Sequence, residues 1–192
     1  MVDVPTREEF AKLAEAVADL ERRPAPAPAE PYVVRPEQFG AKPGQDCTAA
    51  FRAMMAAVED RLAKDAGGGV PLAQAEVRLG AGPYLVSGTV MQPRSGRAQA
   101  LTITGIGKRA SEIVMTGSGP LLHNADRWMG VTITNCSFRS TNPQACFLLS
   151  ESTGAAQDWN FVRCEWRGTW RYGIGLDGPE NSNCNSEWVF DR

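Results

Sequence analysis

A pattern that recurs about every 28 to 30 residues constrains this chain more than any other feature. Leu101-Thr-Ile-Thr-Gly105, Val131-Thr-Ile-Thr-Asn135 and Trp159-Asn-Phe-Val-Arg163 share one strand-like design, and Glu187-Trp-Val-Phe190 follows about one period later. Between them lie secondary strands at Glu112-Ile-Val-Met115, Cys146-Phe-Leu-Leu149 and Tyr172-Gly-Ile-Gly175. A period of this length with two or three strands and no helix makes one coil of a parallel β-solenoid. Coils stack at about 4.8 Å, so like positions form ladders along the axis. Val131, Ile133, Cys136 and Phe138 are expected to point inward in one coil, and Trp159, Phe161, Cys164 and Trp166 in the next.

The chain ahead of the repeat is different in kind. Residues 6 to 23 read as one helix, opened by a capping box between Thr6 and Glu9. Phe10, Leu13, Val17 and Leu20 form an a/d seam, with Ala14 and Ala16 flanking it. The run from Pro24 to Pro31 cannot continue a helix and predicts an extended polyproline spacer. A helix held off by a stiff rod must bury its seam against copies of itself or another protein. A parallel homotrimer is the expectation, although two heptads do not fix the copy number.

From Tyr32 a short extended segment leads to a turn, and then to a helix capped by Asp46 or Thr48. Its apolar face, Phe51, Met54, Met55 and Val58, suits the exposed end of the first coil. Nothing comparable follows Glu187–Phe190, so the chain is expected to continue beyond residue 192 or to meet a partner there. Three segments result: a helical stalk (1–23), a Pro/Ala-rich linker (24–31) and a solenoid body (32–192).

Composition narrows the partners. The net charge of −2 comes with mixed acids and bases and no basic stripe, which argues against nucleic acid. No apolar run is long enough to cross a bilayer, and the N-terminus does not resemble a signal peptide. Five cysteines without a CxxC pair argue against zinc and against a disulfide framework; buried thiols in a protein made in a reducing cytoplasm are expected. No metal or cofactor is implied.

Phe39-Gly-Ala-Lys-Pro-Gly-Gln-Asp46-Cys-Thr-Ala-Ala-Phe51 resembles the opening motif of the pectate-lyase-like β-helix superfamily. Val77-Arg-Leu-Gly-Ala-Gly-Pro-Tyr84-Leu-Val-Ser-Gly88 and Leu101-Thr-Ile-Thr-Gly-Ile-Gly107 are similar to its next elements, and Val4–Phe10 to the start of phage tail fibres and spikes. The resemblance spans roughly residues 32 to 115. It implies a mainly β fold: a right-handed parallel β-helix, a single-stranded solenoid with an N-terminal capping helix, preceded here by a short coiled-coil helix and a Pro-rich linker. It also implies a family of polysaccharide hydrolases, lyases and phage spikes. Fold alone does not choose among them. The chain lacks the family's NTD, DD, GHG and RIK patterns, so a catalytic site is expected only in later coils, if at all.

The expected function is therefore that of a phage tail spike or tail fibre in the virion, made in the host cytoplasm. It would be anchored to tail or baseplate proteins through residues 1–31 and would adhere to host surface polysaccharide. The alternatives are a depolymerase of the same fold and a structural head or neck appendage. Assembly is assigned to Phe10, Leu13, Val17 and Leu20. Glycan contact is assigned to Trp170, Asp177 and Glu180; Asp158 and Glu165 are further carboxylates on neighbouring coils. His123, the single histidine, reads as structural, and Gly105-Ile-Gly107-Lys108 reads as a β-turn rather than a phosphate loop. Cys136 and Cys164 occupy matching positions one coil apart, and free thiols are expected.

Overall fold

A computed structural model describes residues 6–22, 30–65, 74–91, 97–124, 127–150, 156–176 and 185–191. Helix α1 (Arg7–Arg22) opens the chain. The Thr6 backbone N–H donates to Glu9 Oε2 at 2.7 Å, and the Glu9 N–H donates back to Thr6 Oγ1 at 3.4 Å, so the capping box is formed. The Pro-rich linker lies mostly outside the described residues. Strand β1 (Tyr32–Val34), a 3₁₀ turn (Pro36–Phe39) and helix α2 (Thr48–Asp65) follow.

Beyond α2 the chain is almost entirely strand: β2 (Ala75–Leu79), β3 (Tyr84–Val86), β4 (Arg97–Gly105), β5 (Glu112–Met115), β6 (Gly119–Asn124), β7 (Arg127–Thr134), β8 (Ser137–Ser140), β9 (Ala145–Ser150), β10 (Ala156–Val162), β11 (Glu165–Gly168), β12 (Tyr172–Leu176) and β13 (Asn185–Asp191). They assort into three parallel sheets, ordered β1-β2-β4-β7-β10-β13, β3-β5-β8-β11 and β6-β9-β12. Each of about three turns contributes one strand to every sheet, which makes the body a parallel β-solenoid. The first sheet aligns Val77, Ile103, Ile133, Phe161 and Phe190 in one column. The secondary strands divide more finely than the sequence suggests. Glu112–Met115 joins the second sheet, whereas Cys146–Leu149 and Tyr172–Gly175 belong to the third.

The core is the inside of these columns. Ala75, Leu101, Val131, Trp159 and Trp188 stack beside the Val77 column, and Tyr84, Ile113, Phe138 and Trp166 line the second sheet. In the first sheet side chains grow from aliphatic to aromatic along the axis. Trp159 lies parallel on Trp188 at 5.2 Å, and Phe161 on Phe190 at 5.1 Å. All four residues expected to point inward in the first of the two compared coils are buried. In the next, Trp159 and Phe161 are buried and Cys164 and Trp166 are half-buried.

The residues that carry the family resemblance meet around the first coil. Asp46 Oδ1 accepts from the Thr48 N–H at 2.9 Å and the Thr48 hydroxyl at 2.6 Å, while Oδ2 accepts from the Ser87 hydroxyl at 2.8 Å. Thr48 Oγ1 accepts from the Ser87 N–H at 2.7 Å, so both candidate caps tie the start of α2 to the end of β3. The buried Tyr84 hydroxyl bonds the Glu37 carboxylate, and its ring meets Phe51 edge-on at 5.5 Å. Phe51, Met54, Met55, Val58 and Leu62 bury one face of α2 against β1, β2 and β4. Each such side chain contributes about 1.5–3 kcal/mol through removal from water.

Two backbone features repeat with the coils. Ala100, Gly130 and Asp158 have φ near +60° and interrupt the first sheet's pairing at equivalent points. The corners at Asn135 (φ 54) and Arg163 (φ 52) are likewise left-handed. At Gly105 a Cβ would lie 2.2 Å from the Asn135 carbonyl oxygen, so this turn needs glycine for close approach. The Gly107–Lys108 segment is a turn, as its Ala110 N–H to Gly107 carbonyl bond of 3.1 Å indicates.

Candidate functional site

The exposed apolar face of α1 is the first candidate. Phe10 and Leu13 are 58% and 67% exposed, unusual for large apolar side chains placed on one helical face. The backbone stays helical past Val17 and Leu20, whose side chains fall outside the described residues.

The second candidate is the flank around Trp170, which is half-buried. Its indole N–H donates to the Arg167 carbonyl at 2.8 Å, and its ring edge meets Phe147 at 6.2 Å. Asp177 and Glu180 lie outside the described residues. Trp159 is fully buried, with its N–H on the Trp128 carbonyl at 2.9 Å, and Trp166 stacks inside on Phe138 at 6.1 Å. Asp158 is exposed and accepts from the Asn160 side chain at 2.7 Å. His123 sits half-buried on β6, in register with Leu149.

Sequence reasoning missed a charged ladder on the outer face of the second sheet. Glu112, Ser137 and Glu165 form one column, and Val114, Arg139 and Arg167 the adjacent one. Glu112 accepts from Arg139 Nε at 3.3 Å and from Arg167 Nη2, while Glu165 accepts twice from Arg109, at 3.0 and 2.8 Å. The Arg109 bonds hold the Glu165 carboxyl below the usual carboxylate range, helped by the charges of Arg167 and Lys108. Glu165 is thereby suited to fixing guanidiniums rather than to donating a proton. A signal for this ladder existed in the sequence: Cys136-Ser-Phe-Arg139-Ser140 and Cys164-Glu-Trp-Arg167-Gly168 repeat an arginine at the same offset.

The cysteines behave as core. Among the described residues Cys47, Cys136, Cys146 and Cys164 are free thiols. Burial, reinforced by the neighbouring Cys164, pushes the Cys136 thiol up to about 12. A thiol so far from ionisation is a poor nucleophile. Among the described residues no cluster of three or more His, Cys, Asp or Glu side chains is placed to hold a metal ion, and no helix is long and apolar enough to cross a membrane.

No protein-family model and no curated protein matches the chain. Among solved structures it is similar to "Geobacillus virus E2 - ORF18", with a TM-score of 0.38 and 11% identity, over 98% of this chain and 45% of that one. The chain thus spans under half the length of that structure, and a TM-score of this size does not establish a common fold.

Proposed function

We propose that the chain is part of a bacteriophage tail spike or tail fibre, a virion appendage that attaches to host surface glycan. Residues 1–31 seat it on tail or baseplate proteins and hold three copies together. The β-solenoid is right-handed, with α2 as its N-terminal cap, and projects towards the cell. The observation that carries this reading is the unburied seam at Phe10 and Leu13 on a short helix ahead of the solenoid. Such a helix is marginal alone and gains its stability by association. The Pro-rich run and the resemblance of residues 32 to 115 to the β-helix superfamily support the same order of parts.

Light scattering of the chain with and without residues 1–31 tests the assembly. A trimer that becomes a monomer on truncation is expected, and a monomer in both cases defeats the stalk assignment. Labelling of purified virions with an antibody to the solenoid should decorate the tail tip; decoration of heads or necks would favour the structural alternative.

A further inference from the structure

The ladder on the second sheet holds more positive charge and more hydrogen-bond donors than its partners among the described residues take up. Arg109, Arg139, Arg167 and nearby Lys108 face two carboxylates, Glu112 and Glu165, a local excess of two positive charges on a chain of net charge −2. Arg139 and Arg167 are register partners on adjacent coils, so two like charges stand about 4.8 Å apart at the backbone. Stapling coils together would need only one cation per carboxylate.

The donor inventory points the same way. A guanidinium carries five N–H groups. Among the described residues Arg139 engages Glu112 through Nε alone. Arg167 Nε stands 3.6 Å from Glu165 Oε2, beyond hydrogen-bond reach, and is buried with no acceptor among the described residues. Among the described residues the Ser137 hydroxyl, fully buried in the column between the two glutamates, also has no partner. The arginine side chains nevertheless reach solvent, Arg139 at 35% and Arg167 at 34% exposure.

We infer that this ladder is a docking strip for a linear acidic polysaccharide, with carboxylates received by Arg139 and Arg167 on consecutive coils. Guanidinium forks match carboxylates in shape, and a repeat along the solenoid axis suits a ligand whose charges also repeat. Glu112 and Glu165 set the spacing of the forks and limit their repulsion while the strip is empty. The inference rests on the glycan-adhesion reading for the class of partner, and adds its charge and its place on the body.

Affinity electrophoresis of the full chain through gels containing alginate, dextran or single-stranded DNA tests it. Retardation by alginate alone is expected, weakening as salt rises. Arg139→Gln with Arg167→Gln should weaken alginate binding by about tenfold or more, the scale of one lost charge-assisted bond. Arg78→Gln, which removes a paired arginine from the first sheet, should leave it unchanged. Because the glutamine pair leaves Glu112 without its cations, Arg139→Lys with Arg167→Lys provides a folded comparison, expected to bind less than wild type and more than the glutamine pair. Equal loss in Arg78→Gln, unchanged binding in both double variants, retardation by DNA as strong as by alginate, or no alginate retardation at all would each overturn the docking strip. Dextran binding as strong as alginate binding, with both unchanged in the two double variants, would overturn it while leaving glycan adhesion intact.

Discussion

The two ends of the first sheet carry the same kind of side chain in the same column, yet meet different fates. Val77, near the α2 end, is fully buried, whereas Phe190 is 56% exposed. Phe51, Met54 and Val58 lie on the buried face of α2, which packs against β1, β2 and β4. Among the described residues Phe190 on β13, in the inward column, and Leu176 on β12, in register with the buried Ser150, are exposed. Both residues are apolar, so polarity is not what differs. In a solenoid each layer is buried by the next one, so stability belongs to interfaces between coils more than to any coil.

The largest expected effect separates the ends directly. Phe51→Ala should cost about 3–5 kcal/mol, read from urea midpoints, because it opens a cavity under α2. Phe190→Ala should cost less than about 1.5 kcal/mol, since half the ring already meets water. Equal costs would mean the ends are equally covered in solution. Hydrogen exchange should sharpen the contrast, with amides of β13 exchanging about a hundredfold faster than those of β4, as expected for local opening of a strand whose Val189 and Phe190 are exposed. A flat profile would show that the coils unfold as one unit.

A smaller effect concerns the lock between α2 and β3. Hydrogen bonds from Thr48 and then Ser87 hold the Asp46 carboxyl below the usual carboxylate range. A carboxyl whose folded pKa is depressed stabilises at pH above its unfolded value and loses that contribution as pH falls through the folded one. Stability of the α2 end should therefore decline below about pH 4. Asp46→Ala should cost about 1 kcal/mol at neutral pH and flatten this decline. A variant as acid-sensitive as wild type would place the loss elsewhere. Smallest of all, Ala100→Gly should raise stability by up to about 1 kcal/mol by relieving a left-handed alanine, while Gly130→Ala should lower it, its Cβ meeting Ala100 N at 3.3 Å. The opposite signs would show that the kink is not strained.

Much of this architecture was legible because Ile103, Ile133 and Phe161 sit in strands long enough to repeat visibly. The inward columns followed from alternation alone. Assignment of strands to sheets did not follow. The four-residue strands β5, β8 and β11 are too short to carry a period of their own, and only pairing shows that Glu112 belongs with Ser137 and Glu165. The arginine ladder was missed for a related reason: Arg139 and Arg167 are ordinary surface residues until the register makes them neighbours. The aromatic drift from Val77 to Phe190 was visible as composition but acquires meaning only as a stack.

The kink and the corner of each coil have a further consequence. Ala100 precedes Gly105 by the same number of residues as Gly130 precedes Asn135 and Asp158 precedes Arg163, although Ile103, Ile133, Phe161 and Phe190 follow one another at steps of 30, 28 and 29 residues. A fixed ruler is thus embedded in turns of unequal length. A residue gained or lost within the ruler would send Ile133 or its counterpart outward and put that strand out of phase with its neighbours. The unequal steps are taken up instead in the connections between strands, where a change of length leaves the registers of all three sheets intact.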